Sequence, residues 1–191
     1  MSAQRLQAGA AQKPGHVLPI YAAGWSLSAG CHNLILGSYN NYSAFGGFVA
    51  GAENEISGGN ASVSSGGTLN TANDNYSSVS GGYSITASGE ASSVSGGSYN
   101  AASGLWSTVS GGTDNTASGQ NSSVIEGVFN DAIGNWSSAS GGVGHTASNN
   151  WSSVSGGQNN EASGEASTVG GGVFKVASSL NCWEGDSAED C

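Results

Sequence analysis

Residues 92–106 read SSVSGGSYNAASGLW, and the same cadence returns at once in residues 107–121 as STVSGGTDNTASGQN. SSVSGG begins at Ser77, Ser92 and Ser152, and variants of it begin at Ser107, Ser122, Ser137 and Ser167. Each successive start lies 15 residues after the last. In rows of that length the chain becomes columns: serine from Ser62 to Ser167, glycine from Gly67 to Gly172, alanine from Ala72 to Ala177. A flexible linker has no reason to keep this register over eight rows. Stacked coils do, because each turn of a parallel solenoid meets the next at about 4.8 Å and like residues fall on like. The expected fold is therefore all-β: a parallel β-solenoid (β-roll or β-helix) of 15-residue coils with two short strands per coil.

Working outward, VAGAENEISG (49–58) matches one coil with a residue missing, and LILGSYNN (34–41) reads as an earlier, irregular coil. Three regions follow: an irregular N-terminal cap or docking arm over 1–33, the solenoid over 34–177, and an acidic tail over 178–191. Within one coil, strands are expected over 92–96 and about 99–103. Turns are expected at Gly96-Gly97 and Gly104, where glycine accepts positive φ without penalty; Asp74 and Asn149 stand in for the last of these. Alternation points Ser92, Val94, Asn100 and Ala102 inward and Ser93, Ser95, Ala101 and Ser103 outward. Asn70, Asn100, Asn115, Asn130 and Asn160 form an inward column, with Ile85, His145 and Lys175 as interruptions. Buried asparagines need partners, and stacking lets them bond along the file or to turn backbone. One Val and one Ala per coil make a thin core, so lateral association between rods is expected.

Composition removes several classes of function. Only 8% of residues are charged and the net charge is −10. The basic side chains are Arg5, Lys13 and Lys175, so 14–174 holds no Lys or Arg. Nucleic-acid binding needs such side chains to neutralise phosphates, and anionic membrane surfaces attract them too. No run approaches the roughly 18 apolar residues that span a bilayer, so no membrane insertion is expected. The first 25 residues lack the apolar core of a secretory signal. That leaves a removed signal, another export route or no export.

The alternation of S-x-V-S-G with A-S-G resembles the head of trimeric autotransporter adhesins, the YadA-like head repeats. The likeness rests on SSVSGGSYNAASG (92–104), STVSGGTDNTASG (107–119) and SSVSGGQNNEASG (152–164), and covers about 62–177. It implies a left-handed parallel β-roll, packed as a trimer on a bacterial surface and used for adhesion. Two departures stand out. The period is one residue longer than the usual head repeat, the extra residue falling near Gly97, and no heptad stalk or membrane anchor follows Ala177.

Candidate sites follow from the columns. Tyr76, Trp106, Trp136 and Trp151 share one column and line up along an edge of the rod. Such a file packs subunits together, stacks on sugar rings, or is merely solvated. Outward pairs Ser78/Ser80, Ser93/Ser95, Thr108/Ser110, Ser138/Ser140 and Ser153/Ser155 form a hydroxyl array that raises ice binding, against the simpler reading of a solvated face. N-x-S/T acceptors occur at Asn41, Asn60, Asn75, Asn121, Asn135 and Asn150; Asn60, Asn75, Asn135 and Asn150 share a turn column open to glycosylation. Cys182 and Cys191 can form a clasp that leaves Cys31 for an intermolecular bond; three free thiols are the alternative.

Catalysis has little support. His16, His32 and His145 share no column, and no nucleophile elbow, P-loop or metal spacing occurs. Glu126 with nearby Asp131 reads as a local repeat defect. Neither cofactor nor metal is expected, and the chain is expected not to be an enzyme. The expected function is an extracellular or cell-surface structural or adhesive protein, assembled with itself as a trimer, fibre or head-to-tail filament, with surface glycans or a host or matrix receptor as further partners. The second reading is a stand-alone glycan-binding or ice-binding solenoid.

Overall fold

The computed structural model describes residues 33–60 and 62–185. They contain no helix, and their strands form two parallel sheets of 11 and 10 strands. Consecutive strands alternate between the sheets, so the chain winds through about 10 turns. One sheet runs from Leu34–Ser38 to Trp183–Glu184, the other from Asn41–Tyr42 to Val176–Ala177. Ser93 pairs Thr108, Val94 pairs Val109 and Ala102 pairs Ala117, which is the 15-residue step of the sequence. The first step is shorter: Leu34 pairs Phe48 and Tyr42 pairs Ile56, both 14 residues on. Gly37 pairs Gly51 there, one glycine standing where later coils carry two. The added residue of the regular coil is thus a bulge at one corner, outside the paired strands.

Three local features differ from the expectations. Strands of the regular coils are two residues long, such as Ser93–Val94 and Ala101–Ala102. A third ladder of single bridges runs through Tyr83, Ser98, Thr113 and Val128. The coil also continues past 177, because Trp183–Glu184 pairs with Thr168–Val169. At the other end Asn33 joins the first coil, its Nδ2 donating to Ala44 O at 2.7 Å while its Oδ1 accepts from Gly47 N at 2.6 Å. The rest of the expected N-terminal arm and residues 186–191 lie outside the described residues.

The turns are built differently as well. Gly97 has φ of 89°, as expected of a turn glycine, but Gly104 is not in the left-handed region. Gly104 is glycine because a Cβ there would collide with the Gly119 carbonyl of the next coil. Asp74 and Asn149 at that column do not stand in by left-handed backbone either; each side chain accepts a hydrogen bond from the next residue's N–H. Apart from Glu126, the non-glycine residues at positive φ form two other columns. Tyr76, Ala91, Trp106, Asn121, Trp136 and Trp151 occupy one, with φ of 53–58°. Leu69, Tyr99, Asp114, Phe129, Asn159 and Phe174 occupy the other, with φ of 52–60°. Bulky L residues rarely sit there, because Cβ crowds the following carbonyl.

The interior follows the alternation. Ser92, Val94, Asn100 and Ala102 are buried, and so are their counterparts in neighbouring coils. Asn115 shows how the polar file is satisfied. Its Nδ2 donates to Gly111 O and Gly127 O, both at 2.9 Å, and its Oδ1 accepts from Asn130 N at 3.0 Å. Each asparagine therefore closes its own corner and ties it to the next coil. Ile85 receives this link, its N–H donating to Asn70 Oδ1 at 3.1 Å, but has no side-chain oxygen to pass it on.

Candidate functional site

The two left-handed columns lie half a coil apart, at opposite corners, where each side chain is thrown clear of the sheets. The column of Tyr76, Trp106, Trp136 and Trp151 forms the expected aromatic edge, and about half of each ring surface is exposed. Trp136 and Trp151, one coil apart, are stacked with centroids 5.3 Å apart and planes 4° from parallel. Trp106 belongs to the same file by backbone conformation, with φ of 55° against 56° for Trp136 and Trp151.

A second apolar edge runs along the opposite corner. It carries Tyr39, Leu69, Tyr99, Phe129 and Phe174, all exposed, with Tyr83 and Val143 from the neighbouring bridge ladder. Tyr83 and Tyr99 meet edge to face with centroids 5.5 Å apart. The Tyr99 hydroxyl pKa is raised, chiefly by Tyr83, then by burial and a hydrogen bond to Tyr83, and by Asp114. The repeat hides this edge because its column also holds Ser84, Asp114, Gly144 and Asn159. The signal for it is positional: the column lies immediately before the buried asparagine file.

The hydroxyl faces between the edges are bonded along the rod in places, as where Ser153 Oγ donates to Thr168 Oγ1 at 3.0 Å. Exposed Ile125 interrupts the outward serines of one face. The other face has a threonine column, Thr71, Thr86, Thr116 and Thr146, broken by Ala101, Asp131 and Glu161. Burial raises the Asp131 pKa, and a hydrogen bond with Thr116 partly offsets it.

The sequon asparagines hold corners. Asn75 Oδ1 accepts from Asn60 N at 2.9 Å, Asn135 Oδ1 from Gln120 N at 2.9 Å, and Asn150 Oδ1 from Asn135 N at 3.2 Å. Their turn column is exposed at Asn60 and half-buried at Asn75, Asn135 and Asn150. Cys182 occupies the last place in the buried serine file and is disulfide-bonded. Cys31 and Cys191 lie outside the described residues, as do His16 and His32.

His145 is fully buried in the asparagine file, far from any cleft chemistry. Glu126 sits at a corner with φ of 110°, in a column otherwise held by glycine, and Asp131 faces out from the second sheet. Among the described residues no three His, Cys, Asp or Glu side chains gather as metal ligands, and no helix is long and apolar enough to cross a membrane. What the arrangement offers is surface: two apolar edges and two hydroxyl-rich faces repeated along a rod. Neither a protein-family model nor a curated protein matches the chain.

Proposed function

We propose that this chain is a non-enzymatic structural or adhesive protein of the cell surface or extracellular space, working as a self-assembled trimer or fibre. The aromatic edge carries the reading. A thin core of one Val and one Ala in most coils supports a file of rings that are left half exposed, and exposed apolar area of this extent is normally covered by a partner. The likeness of the repeats to YadA-like adhesin heads supports the same assembly and an adhesive role toward a surface receptor. Size-exclusion chromatography with light scattering tests it. Trimers or larger assemblies are expected, and a monomer across the accessible concentration range overturns the reading.

The stacked Trp136–Trp151 pair favours a second reading, a glycan-binding solenoid, because indole faces and edges also pack against sugar rings. Substituting both residues separates the two. Smaller particles follow if the rings join subunits, and lost glycan retention at unchanged size follows if they hold sugars.

A further inference from the structure

The two apolar edges carry matching patterns along most of the rod. Tyr99 and Trp106 are the left-handed residues of one coil, Phe129 and Trp136 those of another, and Leu69 and Tyr76 those of a third. In these coils both corners are apolar. Asp114 and Asn121 share the coil between the first two, where both corners are polar. Asn159 with Ala166 leaves both corners without an aromatic near the end. Ser84 and Ala91 also leave both corners without an aromatic, with the Tyr83 ring beside them turned onto Tyr99 of the next coil. The mixed levels are Gly144 with Trp151, where exposed Val143 flanks the glycine, and Phe174 with Asn181.

Opposite corners of one coil do not touch, so nothing inside a single chain requires them to match. A neighbour that brings its other edge to the same height does. We infer that the rods pack side by side, parallel and in register, with the Trp edge of one copy seated against the Tyr/Phe edge of a second copy. In that arrangement Trp106 meets the Tyr99 level of the second copy, Trp136 meets the Phe129 level, and Asn121 meets Asp114. A slip of one coil sets Asn121 against Tyr99 or Phe129 and buries a polar group on an apolar ring, which is costly without a partner. The contact joins two different surfaces, so every rod has one free edge of each kind after pairing. Such contacts close into a ring when the rotation permits and otherwise extend as a sheet or fibre.

This rests on the self-assembly proposed above and adds which surfaces meet, and how. Asparagine already occupies both columns at Asn121 and Asn159, so it is the substitution least disturbing to the backbone. Trp106→Asn with Trp136→Asn removes one edge; Tyr99→Asn with Phe129→Asn removes the other. Each double variant alone is expected to associate at least tenfold more weakly than the wild type. Mixed in equal amounts, they are expected to form one-to-one pairs and nothing larger, because one intact edge of each kind remains. A double variant that still assembles to wild-type size, or a mixture that stays monomeric, overturns the edge-to-edge contact. A monomeric wild type instead overturns the self-assembly reading itself. For the register, Asp114→Cys with Asn121→Cys in one chain is oxidised and mapped by mass spectrometry. A 114-to-121 link between chains is expected; any other link between the introduced cysteines, or none, overturns the parallel register.

Discussion

Asn115 makes three hydrogen bonds from one buried amide, and His145 shows what the file demands of a replacement. His145 N donates to Asn130 Oδ1 at 2.9 Å, and its Nδ1 accepts from Asn160 N at 3.2 Å. The ring therefore needs an unprotonated Nδ1; a proton there would face the Asn160 N–H. Burial holds the His145 pKa below the usual histidine value, and the Gly157 carbonyl partly counters it. The unfolded chain then binds more protons than the folded one below about pH 6.5, so stability falls as the pH drops through that value and levels off below the folded pKa. Above it the residue contributes no slope. Asp131 has the opposite sign, because burial raises its pKa, and its window opens at about pH 3.9. His145→Asn is expected to flatten the loss between pH 7.5 and 5.5 in urea denaturation, with Asp131 unchanged as the internal control. An undiminished slope would move the proton uptake elsewhere. At this scale the inward residues were legible, since alternation alone sorts Ser92, Val94, Asn100 and Ala102 from their neighbours. The left-handed positions were not. Trp106 and Tyr99 have no glycine-like signature, and glycine occupies the second column only at Gly144.

At the scale of the coil, the period was legible because stacked backbones align every equivalent side chain, and one insertion would shift all that follow. The strand lengths were not, because two-residue strands follow from where the corners leave the ladder, which the columns do not mark. The first turn of the solenoid has a 14-residue step and one glycine at the corner that later has two. That natural variation makes the corner the place where length can change. Deleting one glycine of the Gly96-Gly97 pair is expected to cost about 1 kcal/mol or less, with the circular dichroism and cooperative melt of a β protein retained. Deleting one alanine of the Ala101-Ala102 pair removes the same number of residues but reverses inward and outward positions on its strand. It sets Asn100 or Ser103 against the wrong face and is expected to abolish the cooperative melt. Equal damage from both deletions would mean that the corner bulge is as tightly specified as the strands.

The whole rod constrains what its ends can do. The Trp edge on which the proposed self-association rests was legible in its column; the second edge, and with it the proposed pairing of unlike surfaces, needed the coil geometry. The same geometry bears on the cysteines. Asn33 belongs to the first coil and Cys182 to the last described coil, ten steps apart, which is about 48 Å at the spacing of paired strands. Two residues of extended chain reach only about 7 Å, so Cys31 cannot meet the Cys182 of its own chain. Cys182 is bonded, and Cys191 is its expected partner. Peptide mapping without reduction is expected to recover a Cys182–Cys191 peptide and to leave Cys31 either free or joined to another copy. A Cys31–Cys182 peptide would have a different meaning: the first coil of one rod would have to lie against the last coil of another. The assembly would then grow end to end, and the side-by-side contact of the two edges would no longer be needed to build a fibre.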